Sequence, residues 1–359
     1  MAAPVKSAGR GETGAPVRGD AFQARRRNRI ILFVILVLLL LGTTVFSVMV
    51  GQYTLKASEL PGLFAAGPGQ DSIQQSVLWN IRLPRLVLGI IVGAALGVAG
   101  ALMQAVFANP LAEPSVIGVT SGAGVGAAVV IVFNWTWFGT STVPAAAFVT
   151  AVITTVVVYQ LARHDGRVHV LNLILTGIAV NAVCGAAISL LVYIAPATSR
   201  EQIIFWQMGS LNGAQWKYVT VVFPIIITGI LISLFLGGAL DILALGDKAA
   251  GHIGVNVHTV RIAAIGASTL LTAGAVAYAG LIGFVGLIIP HLLRGITGPS
   301  NKILMPASAL AGAVLIGLSD IAARTLIPFA DLPIGIFTAI VGGPTFFILL
   351  RRMMRRGRA

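Results

Sequence analysis

The sequence predicts an all-α, polytopic membrane protein with about ten transmembrane helices, because it is rich in long apolar stretches and poor in charge. Of its 359 residues, 57% are hydrophobic and only 10% are charged, whereas a soluble domain carries about 25% charged residues. Mean hydropathy is +0.94. No polar stretch reaches the size of a separate domain, so one integral membrane domain is expected.

Ten apolar runs account for the predicted helices. Each run has roughly 16–26 residues, close to the length that crosses a bilayer as a helix. The last four are short and are interrupted by Gly and Pro. In chain order the runs are 30–50, 86–107, 115–133, 143–162, 170–195, 219–240, 262–279, 281–296, 305–321 and 333–350.

A basic segment precedes the first run. Residues 1–29 are rich in Gly, Ala, Pro and Arg and lack an apolar pattern, so we predict a disordered cytoplasmic tail. Its arginines resemble the start of a signal peptide, but the run 30–50 is longer than a signal-peptide core and no A-x-A cleavage site follows it. Residues 30–350 are therefore predicted as the transmembrane domain, and 351–359 as a second basic cytoplasmic tail.

The distribution of positive charge predicts the orientation. With ten spans, eighteen of the 24 Lys and Arg residues fall on the side that holds both termini. Positive residues concentrate on the cytoplasmic side, so both termini are expected in the cytoplasm and the protein in the plasma (inner) membrane. The net charge of +13 then indicates contact with anionic membrane lipid rather than with nucleic acid.

Small residues recur at helical spacing in the second and third runs. This pattern allows helix backbones to approach closely and is typical of tight packing between membrane helices. The residues concerned are Gly89, Gly93, Gly97 and Ala101 in the second run, and Gly118, Gly122 and Gly126 in the third.

The segment 241–261 is the longest polar interruption between internal runs. It reads as two short helical pieces, 242–245 and 247–253, separated and bounded by glycines, which is typical of a compact folded loop. On the predicted topology this loop is cytoplasmic. It is either a contact surface for a component outside the membrane or an ordinary connector between spans.

Charged residues near the opposite, outer surface form a second group. Asp320 and Arg324 lie four residues apart, so they can form an ion pair on one helix face, and Arg324 can also serve a partner. Arg82 and Arg85 flank the start of the second run. They are either interfacial anchors or functional residues, because positive charge on this side opposes the topological bias.

At the inner side, the turn 109–114 joins the second and third runs. It contains two prolines and Glu113, so it is predicted to be stiff, with Glu113 capping the next helix. A constriction at the inner mouth is the alternative.

Several chemistries lack a sequence signature. There is no G-x-x-x-x-G-K-[ST] motif for ATP phosphates, and the five histidines have no metal-ligand spacing. No catalytic triad or carboxylate pair is readable, so an enzyme is not expected. The lone Cys184 cannot form an internal disulfide. A gradient-driven transporter would need intramembrane carboxylates, which fit poorly because the acidic residues lie near the surfaces.

Five stretches together resemble the permeases of the FecCD-type ABC transporter family, which import iron siderophores and vitamin B12. The resemblance covers nearly all of the chain after the N-terminal tail. The stretches are IRLPR at 81–85, GAALGVAGALMQAVFANPLAEPSVIGVTSGAGVG at 93–126, LALGDKAAGHIGV at 243–255, GLIGFVGLIIPHLLR at 280–294 and SDIAARTLIPFADLPIGIFTAIVGGPTFFILL at 319–350.

The resemblance implies the type II ABC importer permease architecture and a set of partners. These are a second permease subunit, identical or related, two cytoplasmic ATPase subunits that carry ATP and Mg²⁺, and an extracytoplasmic substrate-binding protein. It implies no cofactor or metal bound by this chain. A ferric siderophore is the favoured substrate, and cobalamin and haem remain alternatives.

The resemblance also assigns roles to individual residues. The loop 241–261 corresponds to the family's coupling loop, outward arginines to sites that dock the binding protein, and the turn after the second span to an inner gate. The matching residues are Leu245, Gly246, Asp247, Ala250 and Gly254 for ATPase coupling, Arg82, Arg85 and Arg324 for docking, and Asn109, Pro110 and Leu111 for the gate.

Two features depart from the family pattern. Asp331 stands where Glu is usual before Leu-Pro-Ile-Gly, a change that keeps the negative charge. The loop 163–171 lacks the small, hydroxyl-rich turn that forms a second inner gate in some members. No gate is therefore assigned to that loop.

Overall fold

The computed structural model describes residues 18–69, 72–164 and 167–356. Within these ranges the chain is a bundle of α-helices with a single two-residue antiparallel ladder, β1 (Arg163–His164) and β2 (Arg167–Val168). The helices are α1 (Arg18–Met49), α2 (Leu60–Ala66), α3 (Ile73–Ser76), α4 (Leu83–Val106), α5 (Val119–Val132), α6 (Thr142–Ala162), α7 (Val170–Ile194), α8 (Ala197–Met208), α9 (Trp216–Leu243), α10 (Asp247–His252), α11 (Val257–Ala279), α12 (Val285–Thr297), α13 (Asn301–Thr325) and α14 (Ile334–Arg356).

Each of the ten predicted runs contains an α-helix, which confirms the all-α polytopic prediction. Eight helical segments of the described ranges are long and apolar enough to cross a membrane. The other two, α5 and α12, have 14 and 13 residues and extend only about 20 Å at 1.5 Å per residue, against the about 30 Å of a bilayer core. A 3₁₀ turn, Pro114–Ile117, and the segment 280–284 precede them, so part of the depth is crossed by non-α backbone that neighbouring helices enclose.

Helix α4 forms the centre of the bundle. Of its most apolar window, 83% is buried, compared with 22% for α1, 17% for α14 and 11% for α7. It packs mainly against α13, α11, α12 and α9. Two glycines of the predicted stripe explain the close packing against α13, because a Cβ on Gly93 or Gly97 would overlap its backbone atoms. Gly100, which lies outside the predicted stripe, allows the same approach to α12 at Gly286.

The predicted disorder of residues 1–29 is wrong for the part that the structure describes. Helix α1 begins at Arg18, and residues 1–17 lie outside the described residues, as do 357–359. A helix already formed by the apolar run extends at little cost into a segment rich in Arg, Gln and Ala. Arg29 also anchors this extension, since its Nε donates a hydrogen bond to the Thr297 carbonyl at 3.0 Å.

Candidate functional site

The loop 241–261 is compact and ordered by local hydrogen bonds. It is called the coupling loop below, after the role that the resemblance implies for it. Its first predicted helical piece is wrong as a separate element, because residues 242–243 are the end of α9 and a turn follows. The second piece is confirmed as α10. Gly246 and Gly254 have φ values of +100° and +89°, which L side chains rarely adopt, so these two glycines set the path of the chain on either side of α10.

Two carboxylates fix the coupling loop to neighbouring helices. Asp241 accepts hydrogen bonds from the Asn301 backbone N–H at 2.5 Å and from the Ser300 hydroxyl at 2.9 Å. Asp247 accepts a bidentate pair from Arg261, at 2.8 and 2.9 Å. The planar guanidinium of Arg261 suits this bidentate geometry. The pair therefore ties the start of α10 to the N-terminal part of α11.

The loop presents apolar side chains outward. Leu245 is 67% exposed and Ile253 is 60% exposed, whereas Ala250 between them is fully buried under α10. The buried Ala250 and the Asp247–Arg261 ion pair keep the surface of the loop rigid. Leu245 and Ile253 make part of that surface apolar, and exposed apolar patches commonly mark protein–protein contacts.

At the other end of the bundle, three arginines and two aspartates form one group, called the outer charge cluster: Arg82, Arg85, Asp320, Arg324 and Asp331. A π-helical stretch, Val77–Arg82, leads directly into α4. Such stretches shift the helical register and often occur at functional positions. Here the π turn ends at Arg82, so it sets the direction in which this side chain leaves the helix.

Arg85 is the centre of the outer charge cluster. Its Nη1 and Nη2 donate to both oxygens of Asp331 at 2.6 and 2.8 Å, and its Nε donates to Asp320 at 2.8 Å. The predicted ion pair between Asp320 and Arg324 is confirmed at 3.4 Å. However, the Arg324 Nε makes no aligned hydrogen bond, so Arg85 is the stronger partner of Asp320.

The other two arginines, Arg82 and Arg324, bond the end of α1 and the segment that follows it. Arg82 donates to the backbone carbonyls of Val48 and Tyr53. Arg324 Nη2 donates to the Ser47 carbonyl at 2.6 Å and to its hydroxyl at 2.8 Å. The cluster therefore holds the ends of three long helices and the segment after α1 together.

All three arginines are nearly buried in this subunit: Arg82 is 5% exposed, and Arg85 and Arg324 are 8% exposed. They nevertheless line a cavity of about 280 Å³, together with Asn212 and Asp331. In the sequence, Asp331 is distinguished only by its departure from the family pattern. Its pairing with Arg85 across 246 positions could not be predicted, because no local spacing links them.

The predicted gate residues form a tight turn. Ala108 has φ +46°, and the Asn109 side-chain oxygen accepts a hydrogen bond from the Leu111 N–H at 2.9 Å. Asn109 is exposed and Pro110 and Leu111 are partly buried. Glu113 accepts a hydrogen bond from the Ser115 hydroxyl, but no side-chain cap forms on the following 3₁₀ turn. The turn that was predicted to be stiff therefore contains an Asx turn at Asn109.

The fold and these sites define a class of protein: a polytopic helical bundle with a compact loop at one end and a charge cluster at the other. The FecCD transport family model matches residues 37–352. The chain belongs to the FecCD transport family.

Individual relatives agree with this membership. The hemin transport system permease protein of Yersinia pestis is 38% identical over 78% of this chain and 85% of its own length. The cobalamin import system permease protein of Halobacterium salinarum is also 38% identical, over 79% of this chain and 75% of its own. The Fe(3+)-citrate import system permease protein of Bacillus subtilis is 34% identical over 92% and 98%.

Solved structures show the same fold. An inward-facing structure of an ABC transporter assigned to the metal-chelate type matches with a TM-score of 0.80 and 35% identity, over 90% of this chain and 99% of that one. PsaBC from Streptococcus pneumoniae matches with a TM-score of 0.54 and 15% identity, over 80% and 94%. This chain is therefore an integral membrane permease subunit of an ABC importer and not an enzyme, and ATP hydrolysis belongs to a separate subunit.

Proposed function

We propose that this chain is the permease of a binding-protein-dependent importer of a ferric siderophore, driven by ATP and Mg²⁺ on two partner ATPase subunits. The observation that carries the proposal is the rigid coupling loop at one end of a FecCD-family bundle. The permease performs no bond chemistry. As the ATPases close and open, it exposes a central pathway for the substrate first to one side of the membrane and then to the other.

The coupling loop transmits the movement of the ATPases. Leu245, with Ile253, supplies exposed apolar area for a groove on the partner. Gly246 and Gly254 set the ends of α10, and Ala250 seats it against the bundle. A force on α10 passes to α11 through the Asp247–Arg261 pair, because a bidentate pair resists rotation better than a single contact.

The outer charge cluster docks the substrate-binding protein through Arg82, Arg85 and Arg324. Three arginines against two aspartates leave a net positive charge, which would attract carboxylates on the partner. The cavity of about 280 Å³ lined by all three arginines gives a route to them. Because Arg85 already holds Asp331, a docking carboxylate reaches Arg82 and Arg324 more readily than Arg85.

Two further elements complete the proposal. A second permease subunit, identical or related, pairs with this one to enclose the pathway, and the little-buried helices α7 and α14 offer apolar surface for it.

The inner gate is formed by Asn109, Pro110 and Leu111, since an Asx-stabilised proline turn is stiff enough to act as a constriction. Both termini face the cytoplasm, as the positive-inside bias indicates.

Haem and cobalamin are the alternative substrates, and specific relatives favour each. The hemin permease and the cobalamin permease are each 38% identical to this chain, against 34% for the Fe(3+)-citrate permease. All of these are bulky metal chelates, so the same wide, weakly adhesive pathway would serve any of them.

Uptake measurements distinguish the substrates. Cells with and without this chain receive radiolabelled iron as several siderophores, labelled haem, or labelled cobalamin. We expect deletion to abolish uptake of one ferric siderophore, and the wild-type chain to restore it while Leu245→Asp does not. Loss of haem or cobalamin uptake instead would reject the siderophore and keep the importer.

Docking is tested separately on purified permease with its ATPases. Association with the binding protein should weaken as ionic strength rises, because salt screens the long-range attraction between the positive cluster and the partner's carboxylates. It should weaken further in Arg82→Gln. A salt-independent association that Arg82→Gln leaves unchanged would contradict docking through the cluster. Thermal unfolding of the variant controls for loss of fold.

A further inference from the structure

A cavity of about 340 Å³ lies beside the coupling loop, and the proposed function does not use it. It is lined by the ends of α6, α10 and α11 and by residues next to the β1–β2 ladder. Its polar lining consists of Tyr159, His169, Lys248, His258 and the Asp247–Arg261 pair. The cavity is at the end of the bundle that the charge bias assigns to the cytoplasm.

The charge of this cavity favours an anion. Among the described residues that line it, Lys248 and Arg261 are opposed by one carboxylate, Asp247, which is occupied by Arg261. The Nε of Arg261 is buried and has no hydrogen-bond partner. His169 and His258 add two exposed ring donors or acceptors. The described lining therefore carries a net positive charge and unused donors, which suit a phosphate oxygen.

An apolar groove of about 310 Å³ continues from this cavity into the membrane-spanning region between α6 and α11. Tyr159 and Ile265 line both spaces. Along α11 the groove runs from Ile262 to Leu270, which covers about 12 Å of helix axis. The basic, polar cavity at the membrane boundary thus opens into the apolar groove within the membrane-spanning region.

Most of the groove is apolar. Its two threonine hydroxyls, on Thr155 and Thr269, donate to carbonyls of their own helices, at 3.0 and 2.8 Å. The other polar side chains of its lining, Tyr159 and Gln160, lie near the end of α6, toward the cavity. At its centre, Gly266 is exposed, and a Cβ placed there would meet no atom within 4 Å. The space above Gly266 is therefore open and apolar, as an acyl chain requires.

We propose that the cavity and the groove together bind one anionic phospholipid, of the phosphatidylglycerol type. The phosphodiester contacts Lys248, Arg261 and His258, and an acyl chain occupies the groove above Gly266. Basic pockets between helices on the cytoplasmic side recognise such headgroups. The lipid would contact the coupling loop at Asp247 and Arg261, so its presence would bias the position of α10. The binding itself does not depend on which chelate is imported.

Native mass spectrometry of the full-length permease in mild detergent tests the lipid site. The purified protein is titrated with phosphatidylglycerol, phosphatidylcholine or inorganic phosphate, and bound lipid is counted. We expect at least a fivefold preference for phosphatidylglycerol over phosphatidylcholine, and a fall of about fivefold in that preference in Lys248→Gln, as one interfacial cation predicts.

A groove variant tests the acyl chain. Gly266→Phe should remove the bound lipid of either headgroup, because the phenyl ring fills the open space. Gly42→Phe is the matched control, since Gly42 on α1 is also open within 4 Å and lies outside both spaces, and it should retain the lipid. Size-exclusion chromatography checks that both variants fold.

Three outcomes would overturn the proposal. Equal retention of the two lipids in the wild type would mean that the cavity does not discriminate between their headgroups. Full retention of phosphatidylglycerol in Gly266→Phe would place the lipid elsewhere. Displacement of phosphatidylglycerol by inorganic phosphate, with Gly266→Phe behaving as the wild type, would identify a site for a free anion instead.

Discussion

Replacing Asp320 with asparagine should destabilise the permease more than the same change at Asp331, the other aspartate of the outer charge cluster. The side chain of Asp320 is 4% exposed and that of Arg85 is 10% exposed. Asp320 accepts a hydrogen bond from Arg85 and forms an ion pair with Arg324. Asp320→Asn keeps the shape but removes the charge, so the cluster changes from three cations and two anions to three cations and one anion.

The expected cost follows from this burial. Removing one partner from a buried charge pair costs about 3–5 kcal/mol, since the other charge remains without compensation. Asparagine still offers an oxygen to Arg85, so we expect the lower end, about 3 kcal/mol. Asp331→Asn should cost less, about 1.5–2 kcal/mol, because the Asp331 side chain is 19% exposed and water compensates part of the loss.

The assay is the free energy of unfolding in mixed micelles, with tryptophan fluorescence as the readout. Asp247→Asn serves as the control, because it breaks a more exposed bidentate ion pair, with side chains 54% and 18% exposed, and should cost less than about 1 kcal/mol. A value for Asp320→Asn within about 0.5 kcal/mol of wild type, or below that of Asp331→Asn, would refute the argument that burial makes this cluster stabilising.

Three further predictions concern packing, hydrogen bonding and coupling. Gly100→Ala should lower the free energy of unfolding by about 3 kcal/mol or more, since the new Cβ would overlap the Gly286 carbonyl. Gly266→Ala should leave it unchanged in the same assay, because a Cβ there would meet no atom within 4 Å. Gln104→Leu should cost about 1–2 kcal/mol, because the buried Gln104 amide donates to the Leu287 carbonyl at 3.0 Å; a neutral result would mean that this bond contributes nothing. Leu245→Asp should leave unfolding within about 0.5 kcal/mol of wild type but reduce substrate-stimulated ATPase activity at least tenfold; retained stimulation would exclude Leu245 from the ATPase contact.

Local pattern predicted the architecture well. Hydrophobic run length located all ten helices, because burying backbone in lipid leaves helices as the available structure. Glycine spacing identified the faces along which α4 packs. Boundaries were less predictable: α1 extends twelve residues before the predicted start at residue 30, and α5 and α12 are shorter than their apolar runs. Apolar composition does not distinguish a helix from the enclosed non-α segment that precedes it.

The candidate sites were predicted unevenly. The coupling loop was evident, because its polar residues and glycines are contiguous in sequence. The i,i+4 spacing of Asp320 and Arg324 was also sufficient to predict their pair. Two sets of contacts were not predictable: the Arg85–Asp331 pair, and the bonds from Arg82 and Arg324 to the end of α1 and the segment after it. They join residues from 29 to 277 positions apart.

The sequence by itself determined the class, the helices, the family, the position of the loop 241–261 and the positions of the arginines at the opposite end of the bundle. Each of these depends on composition, periodicity or contiguous motif. Only the tertiary structure decided how exposed the arginines are, which carboxylates they hold, and that a basic cavity beside the coupling loop continues into an apolar groove. Charge interactions depend on distance and burial, and both quantities are set by how the helices pack.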